Sequence, residues 1–194
     1  MKKLFLVSSF ADSYQQFPIF VGQDVKNQSV AFIDTASHTE ERTSYVDKAE
    51  TAWLDLGLKV TRISLYDPTT KDVIQAADYI YVAGGNTFYL MQELQKSGVD
   101  VLIKEHINAG KIYIGESAGS IIMSPNIEYI KEMDDITLGD ELLDYTGFNF
   151  ISESPLPHVG NKYLNDAVES IMELYKDSHI LHPFTDQEVF IINE

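Results

Sequence analysis

The sequence predicts an α/β protein, a three-layer sandwich with helices on both faces of a mainly parallel sheet. Three observations point there. Short continuous apolar runs, such as Tyr79–Ala83 and Ser29–Thr35, suit strands covered on both faces. Between these runs lie segments with apolar residues at helical spacing. Two of the runs end in a glycine turn followed by a helical pattern, Gly84-Gly85-Asn86 and Gly115-Glu116-Ser117. Strands alternating with helices give parallel sheets with right-handed crossovers, which put functional loops at the carboxyl ends of the strands.

Taken in order, Lys3–Val7 reads as the first strand and Ser29–Thr35 as the second. Residues 40–56 read as a helix, with Tyr45, Ala49, Ala52, Trp53 and Leu56 on one side and Gly57 as its stop. Leu58–Leu65 is a strand, 73–77 the end of a short helix, and Tyr79–Ala83 a buried strand. Asn86 is placed to cap the helix that carries Phe88, Leu90, Met91 and Leu94. A further helix over 99–109 closes at Gly110, a strand covers 111–115, and a helix begins at Ala118. Residues 125–157, interrupted by Pro125, Pro155 and Pro157, read as mostly loop. A helix is expected over 161–175, then two short strands, 179–183 and 189–193, around a turn at Asp186-Gln187. No domain boundary or repeat stands out, so residues 1–194 read as one catalytic domain.

Composition narrows the function classes. A hydrophobic fraction of 44% with 11% aromatics is that of a globular chain. The absence of cysteine excludes a disulfide scaffold, a thiolate metal site and a cysteine nucleophile. Thirty acidic against 14 basic residues give a formal net charge of −16, a field that repels phosphate backbones and anionic membranes, so neither nucleic acid nor membrane is expected as a partner. The start, Met1-Lys2-Lys3 before a short apolar run, meets Asp12 too soon for a secretory core and reads as a strand. No apolar stretch approaches the ~20 residues of a membrane span. The expected location is cytoplasmic, as a monomer or homodimer.

The residues with chemistry begin at Gly115-Glu116-Ser117-Ala118-Gly119. It matches G-x-S-x-G, with a strand before and a helix after, the context in which a serine sits on a sharp turn with its hydroxyl exposed. The helix start adds N–H groups able to stabilise an oxyanion. Gly85, after the other strand, can supply a facing N–H; the plainer reading of that turn is a helix start with an Asn86 cap. Ser117 needs a base. Of five histidines, His106 reads as a surface residue of its helix, His38 as part of a cap region, and His179 and His182 as packed or exposed. His158 lies in a proline-fixed loop, Pro155-Leu156-Pro157-His158, where a positioned base is expected. Asp186 is the best-placed acid to orient it, with Glu153, Asp166 and Glu188 as rivals. Glu116 and Asn86, adjoining the two turns, are candidate substrate-binding residues.

The pair Gly84-Gly85-Asn86-Thr87-Phe88-Tyr89-Leu90 and Gly115-Glu116-Ser117-Ala118-Gly119-Ser120, about thirty residues apart, resembles the peptidase E family of serine peptidases, family S51. The resemblance runs along most of the chain. It implies a class I glutamine-amidotransferase-like fold and hydrolysis of short peptides. It assigns Ser117 as nucleophile, His158 as base, Asp186 as third member, and the backbones of Gly85 and Ala118 as oxyanion donors, with no metal or organic cofactor. Well-known members cleave after an N-terminal aspartate and bind its carboxylate with an arginine beyond the histidine. This chain has only Arg42 and Arg62, both upstream of His158, and Lys162 and Lys176 offer no bidentate fork. Strict aspartate specificity is therefore not expected. Two other readings use the same fold, a cyanophycinase-like amide hydrolase and a non-enzymatic binding member. A glutamine amidotransferase would need a cysteine.

Overall fold

A computed structural model describes residues 1–194. The strands are β1 (Lys3–Val7), β2 (Ser29–Ile33), β3 (Lys59–Arg62), β4 (Tyr79–Val82), β5 (Ile112–Glu116), β6 (Ser154–Leu156), β7 (Leu181–Pro183) and β8 (Val189–Asn193). The helices are α1 (Phe10–Ser13), α2 (Phe17–Val21), α3 (Ser44–Asp55), α4 (Thr70–Ala76), α5 (Thr87–Ser97), α6 (Val99–Asn108), α7 (Ala118–Ile121) and α8 (Asn165–Tyr175). Six strands form one sheet in the order β3-β2-β4-β5-β1-β8, parallel except for β8, which runs antiparallel to β1. The carboxyl ends of β4, β5 and β1 lie side by side, so the turns after them share one edge.

Alternation along the strands fills a core on each face. Leu4 and Leu6 point to one side, where they meet Phe88, Leu90, Ile103, Ile107 and Ile171 from α5, α6 and α8. Phe5 and Val7 point to the other, onto Phe10, Phe17 and Trp53 from α1, α2 and α3. The second core is aromatic. Phe10 stacks on Trp53 with ring centroids 4.1 Å apart, and Tyr81 packs edge-on against the same indole at 5.7 Å. No helix is long and apolar enough to cross a membrane.

Several expectations are corrected. The two tail strands do not form a hairpin: β7 pairs in parallel with β6, while β8 joins the main sheet beside β1. The region 125–157 is mostly loop, as expected, but it is packed against the core rather than free. It holds two 3₁₀ turns, Glu128–Glu132 and Ile136–Gly139, and buries Ile127, Tyr129, Ile130, Phe148 and Ile151 against the larger core. α8 starts at Asn165, because residues 161–164 are a turn in which the Asn161 N–H donates to the His158 carbonyl at 3.0 Å. α1 and α2 lie in a stretch where the sequence showed no periodicity, being only four and five residues long. His106 is not a surface residue. It is 5% exposed, with Nε2 3.0 Å from the Ile112 carbonyl.

Candidate active site

Ser117 follows β5 and caps α7 with φ +48° and ψ −108°, a conformation that non-glycine residues rarely adopt. The surrounding bonds hold it there. Its N–H continues the β1–β5 ladder to the Val7 carbonyl at 2.8 Å. The Ser120 hydroxyl donates to the Gly115 carbonyl at 2.7 Å and lies 3.0 Å from that of Val7, and the Tyr113 hydroxyl donates to the Gly119 carbonyl at 2.7 Å. Gly119 sits so close to β4 that a Cβ there would collide with the Val82 carbonyl. Strain of this kind costs about 1–3 kcal/mol and persists only where neighbours over-determine the backbone.

The small β6–β7 sheet brings His158 and Asp186 together. The Phe184 N–H donates to the Leu156 carbonyl at 3.0 Å, and the Val159 N–H donates to the Phe184 carbonyl at 3.2 Å. The loops after the two strands therefore run side by side, with His158 on one and Asp186 on the other. Ser117 Oγ is 2.9 Å from His158 Nε2, and His158 Nδ1 is 3.1 Å from Asp186 Oδ1. The His158 and Asp186 side chains are 14% and 22% exposed, enough to meet a ligand and too little to be solvated freely. His158 itself has φ +71°. The hydrogen bond with His158, helped by those from Ser8 and Asn161, holds the Asp186 carboxyl well below the usual carboxylate range, against the opposing effect of burial. Asn161 Nδ2 donates to Asp186 Oδ2 at 2.9 Å. Among the rival acids, Glu188 instead accepts the Thr185 N–H at 2.8 Å, and Glu153 bonds to Ser152 at 3.2 Å.

The turn after β4 lies against the serine. A Cβ on Gly84 would fall 3.1 Å from Ser117 Cβ and 3.7 Å from its Oγ. Gly85 has φ +131°, and a Cβ there would strike the Ala36 carbonyl, so the position admits only glycine. Its N–H makes no bond within the chain. Ala118 is the first residue of α7, where a helix leaves its N–H unpaired.

Two sequence assignments are corrected. Glu116 does not face a cleft. On the strand it shares a face with Ile114, so its carboxylate enters the aromatic core, 3% exposed, where it accepts the Phe10 N–H at 2.8 Å and the Tyr81 hydroxyl. Burial raises its pKa. The Asn86 side chain is also committed internally, accepting the Tyr89 N–H and donating to the Asp135 carbonyl, both at 2.9 Å. Neither side chain is free for substrate. Three groups near the site were not anticipated. Ser8 touches both His158 and Asp186. Asp134 accepts the Thr87 N–H at 2.8 Å, and burial raises its carboxyl to about 6. Tyr45 donates to Glu40 at 2.7 Å and lies 3.1 Å from the Gly84 carbonyl.

The arrangement invites comparison with known proteins. The model of peptidase family S51 matches residues 4–194. An uncharacterized peptidase of Pasteurella multocida strain Pm70 is 40% identical over 196 residues, covering 100% of this chain and 94% of that protein. Peptidase E of Nostoc sp. strain PCC 7120 is 28% identical, over 94% of this chain and 76% of that one. A crystal structure of a protein from Listeria monocytogenes EGD-e, described as of the peptidase E kind, superimposes with a TM-score of 0.92 at 39% identity, covering 99% of this chain and 94% of that one. The fold is thus the class I glutamine-amidotransferase-like α/β sandwich, and the chain belongs to peptidase family S51, as a serine-type peptidase.

Proposed function

We propose that the chain hydrolyses short peptides through Ser117, His158 and Asp186, without strict selection for aspartate. The carrying observation is the unbroken line from Ser117 Oγ through His158 to Asp186, with steps of 2.9 and 3.1 Å, on a serine held at positive φ. Ser117 Oγ attacks the peptide carbonyl while its proton passes to His158 Nε2. The N–H groups of Gly85 and Ala118 receive the oxyanion. The C–N bond then breaks, His158 returns the proton to the leaving amine, and water attacks the acyl-serine by the same route in reverse. Asp186, ionised across the neutral range, holds the imidazole and balances its transient charge.

The specificity reading rests on charge. An aspartyl side chain entering a half-buried pocket loses water and needs a cation in exchange. Arg62 is bound to Asp34, Asp47 and Glu50, and Lys162 lies over the Tyr163 ring at 5.4 Å. The charged groups near the site are instead acidic, Glu40 and Asp134 among them. Such a field favours a free terminal ammonium over a substrate carboxylate.

Two measurements test this. Ser117→Ala should lower kcat/KM by about three or more orders of magnitude with folding intact; comparable turnover would sink the mechanism. Dipeptide amides beginning with Asp, Ala or Leu should differ by less than about a hundredfold in kcat/KM. An aspartyl substrate leading by more than that would require a cation in the pocket.

A further inference from the structure

Ser8, the residue after β1, is 2% exposed, and its single oxygen meets three partners. It lies 2.5 Å from Asp186 Oδ1, 2.9 Å from His158 Nδ1 and 3.0 Å from the His158 backbone nitrogen. Hydrogen-bond chemistry fixes the roles. The ionised Asp186 can only accept, so it takes the one hydroxyl proton. The backbone N–H of His158 can only donate, so it points at an oxygen lone pair. The second lone pair then faces Nδ1, which must carry a proton, since a bare Nδ1 would oppose lone pairs on both Ser8 and Asp186. With Nδ1 protonated, Nε2 presents its lone pair to Ser117 Oγ, the form that a general base requires. The same oxygen also anchors the left-handed backbone of His158, with φ +71°.

We propose that Ser8 is a positioning residue for the hydrolytic reaction, its hydroxyl tying the base's backbone, the base's Nδ1–H and the acid to the rigid end of β1. This rests on the reading of Ser117 and His158 given above. His158 and Asp186 sit on separate loops, and Ser8 joins both to the central sheet. Without it, the imidazole keeps one acceptor, and its ring is free to tilt from Ser117. Misplacement of a reacting group by about 1 Å is worth about a hundredfold in rate.

The test uses the full chain with Ser8→Ala and Ser8→Thr, and Ser117→Ala as the control, on a short peptide that the wild type cleaves. Ser8→Ala should keep its melting temperature and KM within about threefold while kcat falls about ten- to a hundredfold. Ser8→Thr, which restores the hydroxyl, should bring kcat back to within about threefold of wild type. A folded Ser8→Ala with kcat within threefold of wild type overturns the proposal, as does a loss confined to KM. So does a folded Ser8→Thr as slow as the alanine variant. If Ser8→Ala does not fold, Ser8→Thr decides alone: near wild-type kcat supports the role of the hydroxyl, and a folded variant more than tenfold slower refutes it. Retained turnover in Ser117→Ala would instead defeat the underlying reading, which separates the two failures.

Discussion

The two ends of β5 carry the same kinds of residue under opposite rules. At its amino end, the His106 imidazole packs in the core and makes one hydrogen bond, to the Ile112 carbonyl; burial lowers its pKa to about 4 and keeps it neutral. At its carboxyl end, His158 is held at a left-handed φ between a serine, a second serine and a carboxylate, with its ring partly open. Strain gathers at the second end. Ser117 and His158 both have positive φ there, and Asp134 and Glu116 are carboxylates held by N–H donors in places that disfavour their charge. The amino end stabilises the fold, and the carboxyl end is where stability is given up for geometry.

The contrast can be broken most sharply at Ser117. Ser117→Gly should abolish turnover, by about three or more orders of magnitude, yet raise stability by about 1 kcal/mol, because glycine tolerates the elbow conformation. Thermal melts and steady-state rates on one sample check both halves. A destabilised glycine variant would mean that the elbow stores no strain.

The next effect concerns His106. It is neutral when folded, with a pKa lowered from 6.5 to about 4, while the unfolded chain takes up a proton near 6.5. Its contribution is fully present above 6.5 and is lost as pH falls towards 4, about 3 kcal/mol in total. Denaturant melts between these limits should show a flatter curve for His106→Gln than for wild type. Parallel curves would contradict the assignment.

Asp134, at the other end, carries the opposite sign. Its carboxyl is raised from 3.8 to about 6, so the folded state disfavours the charge and stability declines as pH rises through that range. Asp134→Asn, which keeps an acceptor for the Thr87 N–H, should gain about 1–3 kcal/mol near pH 7.5 and nothing near pH 4. A gain independent of pH would show that charge is not the cause.

What could be read from the sequence follows the same division. The parallel strands were legible because continuous apolar runs have no other use on a short chain, and β1 runs from Lys3 to Val7 as expected. Asn86 was legible as a cap because its side chain acts within four residues. The elbow was legible for the same local reason. Glu116 was misread because neighbours in sequence are not neighbours in side-chain direction on a strand. The partner of β7 was misread because pairing with β6 spans more than twenty residues and leaves no local spacing. Ser8 went unnoticed because nothing near it in sequence marks it; only the placing of β1 beside β5 brings it to His158.

The central claim, that Ser117 is the activated nucleophile of this peptidase, is tested most directly by a fluorophosphonate probe with the adduct mapped by mass spectrometry. One adduct per chain on Ser117 is predicted, with none on Ser117→Ala and much slower labelling of His158→Ala. An adduct on Ser8 or any other serine, or labelling undiminished in Ser117→Ala, would contradict it.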